Sequence, residues 1–253
     1  MDQTQFDSFI KDVEKAKIDF GEDNVINMDE TMWLVTQPPR KTLSIVGSDE
    51  VKGTIEANLK SGFTAIATIT MSGKKYPFTL LAKGKKDSTN KKNYLIPNYD
   101  NIIIPSISGW STLQALKEYI TWLISYRGSD EFALVLDQYP THKTFAEELK
   151  KNNCPIRFIF VPANSTDILQ PLDRKVFGAL KSKGRKKWND TFISKSFKPP
   201  TLKESIENLN QSWDEITENL VKSSWEINNQ FENDEYEEED SNFELTSDIP
   251  SEI

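Results

Sequence analysis

Three aspartates carry the chemistry this chain could perform. Asp29 closes the run NVINMD, Asp137 closes FALVLD, and Asp173 lies in QPLDRKVF. The first two follow short apolar runs of strand type, and open α/β sheets place their ligand crevices at strand carboxyl ends. Carboxylates brought side by side repel one another unless a proton or a cation lies between them. Such a set calls for a hard divalent metal bound through oxygen, Mg²⁺ or Mn²⁺. Asp173 begins a helix, where the dipole favours an anion, although an aspartate there can also be a plain cap. Intervals of 108 and 36 residues decide nothing by themselves in a chain with 39 acidic residues.

Around these acids stand residues of supporting type. Glu30 follows Asp29 directly and, on a continuing strand, points to the other face, which makes it a structural partner rather than a ligand. His142 lies five residues after Asp137 and is the one histidine in the chain. It cannot build a metal cluster of its own, but it could touch a phosphate or steady the site. Arg174, Lys175, Lys181, Lys183, Arg185, Lys186 and Lys187, interleaved with Phe177 and Trp188, form the most basic stretch. They read either as contacts to a nucleic-acid backbone, with GRKK as a nuclear import signal, or as a solvated helix face.

The elements that must position these groups follow from periodicity. Phe6, Phe9, Ile10 and Val13 mark an amphipathic helix over 6–20. Asn24–Met28 reads as a strand ending at Asp29, and Thr64–Met71 and Tyr76–Lys83 as a hairpin. A polar, basic loop spans 83–93. Ser111 and Gln114 have capping-box spacing ahead of a helix to Tyr126. Then come a central strand over Phe132–Leu136, a helix over 142–150, a strand over Arg157–Val161 and a helix over 172–188. One more helix is expected around Trp213, Ile216 and Leu220, set off by Pro199 and Pro200. The class is α/β, with five strands.

The blocks NMDET, VLDQYPTH and STDILQPLD occur in that order. They resemble the DDE superfamily of endonucleases, specifically the pogo, Tigger and jerky branch of mariner-like transposases, to which centromere protein B is related. Asn27, Asp29, Glu30 and Thr31 fit that branch's first motif, Asp137 and His142 its second, and Leu169 to Asp173 its third. Gln138 departs from the Asn usual there. The resemblance implies a ribonuclease-H-like mixed five-stranded sheet flanked by helices. It also implies that Asp29, Asp137 and Asp173 are the catalytic ligands of two Mg²⁺ or Mn²⁺ ions, roughly 3.5 to 4 Å apart. The expected activity is cleavage of DNA at transposon ends and joining to a target, in the nucleus, with a homodimer left open. Family members usually carry a DNA-binding region ahead of this core. The alternative is therefore a domesticated or decayed, non-catalytic nucleic-acid-binding module.

Composition is consistent with such a core. The formal charge is -8, but ten acids lie from Phe231 onward, so residues 1–230 carry +2. The expected division is one domain over 1–228, with a helical extension from about residue 200, followed by an acidic disordered tail over 229–253. Cys154 is the single cysteine, so no internal disulfide forms. The apolar runs are far shorter than the ~20 residues of a membrane span, and the acidic amino terminus is not that of a secretory signal.

Overall fold

A computed structural model describes residues 3–37, 61–84, 89–129 and 131–227. The acidic tail expected over 229–253 and part of the basic loop, residues 85–88, lie outside the described residues. Helix α1 (Gln3–Phe20) leads into β1 (Val25–Leu34), β2 (Gly62–Thr70), β3 (Thr79–Lys83) and β4 (Ile102–Ser106). Then follow α2 (Leu113–Arg127), β5 (Ala133–Leu136), α3 (Pro140–Lys151), β6 (Arg157–Phe160) and the short α4 (Thr166–Leu169). The chain closes with α5 (Phe177–Ser194), α6 (Leu202–Asp214) and α7 (Glu218–Trp225).

The strands form one mixed sheet in the order β4-β3-β2-β1-β5-β6. β1, β2 and β3 are antiparallel neighbours, while β5 and β6 run parallel to β1. This is the ribonuclease-H-like arrangement with one strand more than expected. The addition is β4, IIIPS, which pairs parallel to β3 at the sheet edge. Pro105 argues against a central strand, yet it is tolerated at an edge because its missing N–H faces no partner.

Helices cover both faces, as parallel strands require. On one face Ile26, Met28, Leu134 and Leu136 pack on Leu116, Ile120 and Leu123 of α2 and Phe145 of α3. On the other, Val25, Val135 and Ile159 meet Phe6, Phe9 and Val13 of α1. Trp33, Ala67 and Leu80 on that same face meet Leu180, Leu209 and Trp213 of α5 and α6. Burying one such side chain contributes about 1.5 to 3 kcal/mol. Helix α5 crosses so close to β1 that a Cβ at Gly184 would lie 2.2 Å from the Trp33 ring, so only glycine fits.

Two local expectations change. The α2 cap is Thr112, whose side chain accepts from Ala115 N–H, while the Ser111 hydroxyl is buried with no partner among the described residues. The cap thus falls one residue later, where the chain enters the helix from an extended conformation. The single carboxyl-terminal helix is two, α6 and α7, each with its own threonine cap. At the first, Thr201 and Glu204 make a full capping box.

Candidate metal and nucleic-acid site

Asp29 does not end its strand. β1 continues to Leu34, and Asp29 pairs with Ala67 of β2. On its other side, however, the parallel pairing with β5 stops at Asn27 and Val135. From Asp29 onward β1 is therefore flanked by β2 alone, and the space that β5 vacates is the crevice. Asp137 follows β5 directly and faces that same space. Glu30 lies on the opposite face from Asp29, as strand alternation demands.

Asp173 arrives by a third route. Leu169 packs in the core beneath α1 and Leu172 in the core beneath α5, so the segment between them crosses the boundary of the two. The helix start expected there is a wide turn over Leu172–Val176, in which Phe177 N–H bonds to Leu172 C=O. This five-residue step inserts one residue relative to a regular helix, and such widened turns recur at functional sites. It brings the Asp173 carboxyl into hydrogen-bond contact with Asp29.

One buried side chain ties all three acid-bearing segments. Asn27 is fully buried; its Nδ2 donates to Val135 C=O at 3.1 Å and its Oδ1 accepts from Leu172 N–H at 3.0 Å. Val135 lies two residues before Asp137, and Leu172 one before Asp173.

The electrostatics follow from this crowding. Burial holds Asp29 well above the ordinary carboxylate range, and the negative charges of Asp173, Glu30 and Asp137 push the same way. Asp173 keeps a solvent-facing side, yet the packing behind it raises it too, while the bond to Asp29 acts in the opposite direction. Both carboxyls therefore resist ionisation, the cost of crowding acids where no cation offsets their charge.

Asp137 is engaged differently. Its Oδ1 accepts from Tyr139 N–H at 3.0 Å and meets His142 Nδ1 at 2.5 Å; Oδ2 takes part in neither contact. His142 Nε2 lies 3.2 Å from Glu30 Oε1. Burial works against a charged imidazole, but hydrogen bonds to Asp137 and Glu30 prevail and raise His142 to about 10. Burial likewise opposes a charged Asp137, and the bonds from His142 and Tyr139 outweigh it and hold the carboxyl below its usual range. His142 is only 2% exposed and braces Glu30 on β1 and Asp137 just after β5.

The basic stretch divides. Arg174 donates to the Ser224 and Glu226 carbonyls at the end of α7, and Lys183 and Lys187 both pair with Glu215. Lys181 lies over the Phe177 ring and draws Asp173 downward electrostatically. Lys186 is exposed, whereas Lys175 and Arg185 are half-buried.

A cavity of about 250 Å³ opens at the crevice, with Asp29, Glu30, Asp137 and His142 in its wall and Met32, Trp110 and Tyr139 at its lining. Asp173 does not line it and reaches Asp29 from the α5 side. Among the described residues, no three His, Cys, Asp or Glu side chains form a set that could hold one ion as they stand. No described helix is long and apolar enough to cross a membrane.

The family model for the DDE superfamily endonuclease matches residues 60–225, about two thirds of the chain. The chain belongs to this family. Asp137 and Asp173 fall inside the matched region and Asp29 precedes it. Among solved structures, the chain is similar to the Mos1 transposase paired-end complex with left transposon end, at 17% identity and a TM-score of 0.44. That alignment covers 90% of this chain and 64% of the other, so the chain spans less than two thirds of that relative. The mariner Mos1 paired-end complex with Mg aligns at 15% identity and a TM-score of 0.47, over 89% of this chain and 62% of that one. The catalytic domain of Mos1 mariner transposase aligns at 13% identity and 0.42, over 90% and 94%.

Reading the sequence alone overlooked Asn27 as a clamp and the aromatic pair Trp110 and Tyr139. An Asn inside an apolar strand run was the available signal for the first, because a buried amide needs partners.

Proposed function

We propose that this chain is the catalytic core of a metal-dependent DNA endonuclease and strand transferase of a transposable element, with Asp29, Asp137 and Asp173 as the metal-holding carboxylates. The observation that carries the reading is the Asp29–Asp173 contact, with Asp137 close enough to raise both. Carboxyls in contact are costly unless a proton or cation lies between them, and three oxygen-donor side chains from separate elements suit a hard divalent ion. The donor chemistry suits Mg²⁺ or Mn²⁺, and the three carboxylates would have to draw closer together to hold one ion. Such ions, when bound, activate a water or a DNA 3′-hydroxyl and stabilise the leaving oxygen during in-line attack on phosphorus.

The protein's own part is to position. Asn27 sets the spacing of the three segments, and the His142 brace fixes the Asp137 Oδ1 edge, with Oδ2 outside that brace. Lys181, near Asp173, offers a cation for a phosphate, and Lys186 on the exposed side of α5 extends that surface. Transposon ends and target DNA are the proposed substrates, and the nucleus the proposed location.

The test is nicking of supercoiled plasmid in Mn²⁺ by the purified chain and by Asp29→Asn, Asp137→Asn and Asp173→Asn. Activity in the wild type and its loss in all three variants supports the reading. A folded chain that binds DNA but never nicks is instead a non-catalytic binding module.

A further inference from the structure

Two of the exposed aromatic side chains lie at the acidic cavity. Trp110 is 65% exposed and Tyr139 56%, and both line the same space as Asp29 and Asp137. A large apolar ring left in water is unremarkable alone, but a pair of them at a polar crevice marks a binding surface.

The Trp110 support is built to hold the ring there. Thr64 Oγ1 on β2 donates to Gly109 C=O at 2.8 Å, and Ser106 Oγ on β4 donates to Trp110 C=O at 2.6 Å. Gly109 N–H closes the turn onto Ser106 C=O, with Gly109 at a φ of +79° that favours glycine. Three hydrogen bonds thus anchor the backbone of SGW to two strands, while the indole itself stays in solvent. Tyr139 is fixed comparably. Its N–H bonds to Asp137, Pro140 restricts its backbone to an extended conformation, and its ring packs edge-on against His142 at 5.9 Å. Rigid supports under exposed rings lower the entropic cost of stacking something flat on them.

We infer that Trp110 and Tyr139 form a stacking platform for an unpaired nucleobase of the DNA strand whose phosphate enters the acidic crevice. This rests on the endonuclease reading and adds a site to it. The occupant must be flat and uncharged where it meets the rings, and it must be attached to an anion that cations can draw among the carboxylates. A nucleotide lifted from its stack meets both conditions. Stacking on the rings offsets the cost of opening the duplex at that step, and it tolerates any base because every base has a π-face.

The experiment is equilibrium binding of the full chain to a forked oligonucleotide, a paired arm with a short single-stranded end carrying 2-aminopurine, in Ca²⁺. Wild-type binding should quench 2-aminopurine. Trp110→Leu, which keeps an apolar side chain but has no π-face, should weaken binding roughly 5- to 100-fold and remove the quench, whereas Trp110→Phe retains most of both. Tyr139→Ala should weaken binding in the same direction. The loss in Trp110→Leu should persist at raised salt, unlike the loss of a phosphate contact. Circular dichroism confirms that each variant is folded, as expected for side chains so exposed. Equal binding and quenching by Trp110→Leu and wild type, or no wild-type quench, overturns the platform. Trp110-dependent quenching by a chain that never nicks plasmid instead overturns the endonuclease reading and leaves the platform standing.

Discussion

Asn27 Oδ1 accepts a hydrogen bond from Leu172 N–H at 3.0 Å, across 145 residues of chain, in a wholly buried setting. The same amide donates to Val135 C=O, so one side chain joins the strand of Asp29, the strand before Asp137 and the turn of Asp173. Asn27→Leu leaves both backbone groups buried and unpaired, at about 1 to 3 kcal/mol each. We expect a loss of at least about 2 kcal/mol in urea unfolding on that basis, and a fall in nicking rate beyond what instability explains at a temperature where the variant is folded. Asn27→Ser, which retains a small donor and acceptor, should recover part of the stability. A stability change within about 0.5 kcal/mol, the level of ordinary surface substitutions, would show that the clamp carries no energy.

The Glu30–His142–Asp137 brace makes a second prediction. His142→Gln removes a cation from between two carboxylates and should destabilise the fold, and Glu30→Gln leaves the imidazole with one acidic partner. Because the groups are in contact, the double variant should lose less than the two singles together, by roughly 0.5 to 3 kcal/mol. Additive losses in urea unfolding would mean that Glu30 and His142 do not share an interaction.

Glu204 sets a pH dependence away from the acids. Partial burial opposes its ionisation, but the Lys195 ion pair and the bonds within the Thr201 cap prevail, and its carboxyl sits below the ordinary value of 4.5. A depressed folded value means that its stabilisation is fully present above the unfolded value and is lost as pH falls through the folded one. Glu204→Gln should therefore melt below wild type at pH 7, by the worth of a cap and an exposed ion pair, about 1 kcal/mol. The gap should close as pH drops below about 4. A gap that stays constant down to pH 3 would assign the effect to packing.

Much of this arrangement was legible in the residues. Uniform apolar runs such as FALVL read as central strands because both of their faces are covered, and Asp137 follows from where that run stops. Strand alternation alone puts Glu30 opposite Asp29. The reading failed where tertiary pairing decides the outcome. Polar residues after Met28 looked like a strand end, but pairing with β2 carries β1 on to Leu34. The edge strand β4, which contains Pro105, lies outside the expected strands, and the α2 cap falls one residue later than expected, at Thr112. For Arg174, Lys183 and Lys187 the sequence shows the charge, which suits a nucleic-acid backbone or a solvated helix face, but not the carbonyls and Glu215 that receive it.

Asp29, Asp137 and Asp173 are proposed to hold a divalent ion that relieves the crowding of their charges. The direct measurement is the melting temperature of the purified chain against Mn²⁺ concentration, with the three Asp→Asn variants in parallel. At one hundred times the dissociation constant a single bound ion stabilises by about 2.7 kcal/mol, a rise of roughly 5 to 10 °C for a chain of this size. That rise is expected in wild type and should be lost in each variant, and Asp29→Asn should melt above wild type in chelator because a buried acid crowded by Asp173, Glu30 and Asp137 is gone. A folded wild type with no Mn²⁺-dependent rise, or a rise that all three variants share, would contradict that proposal.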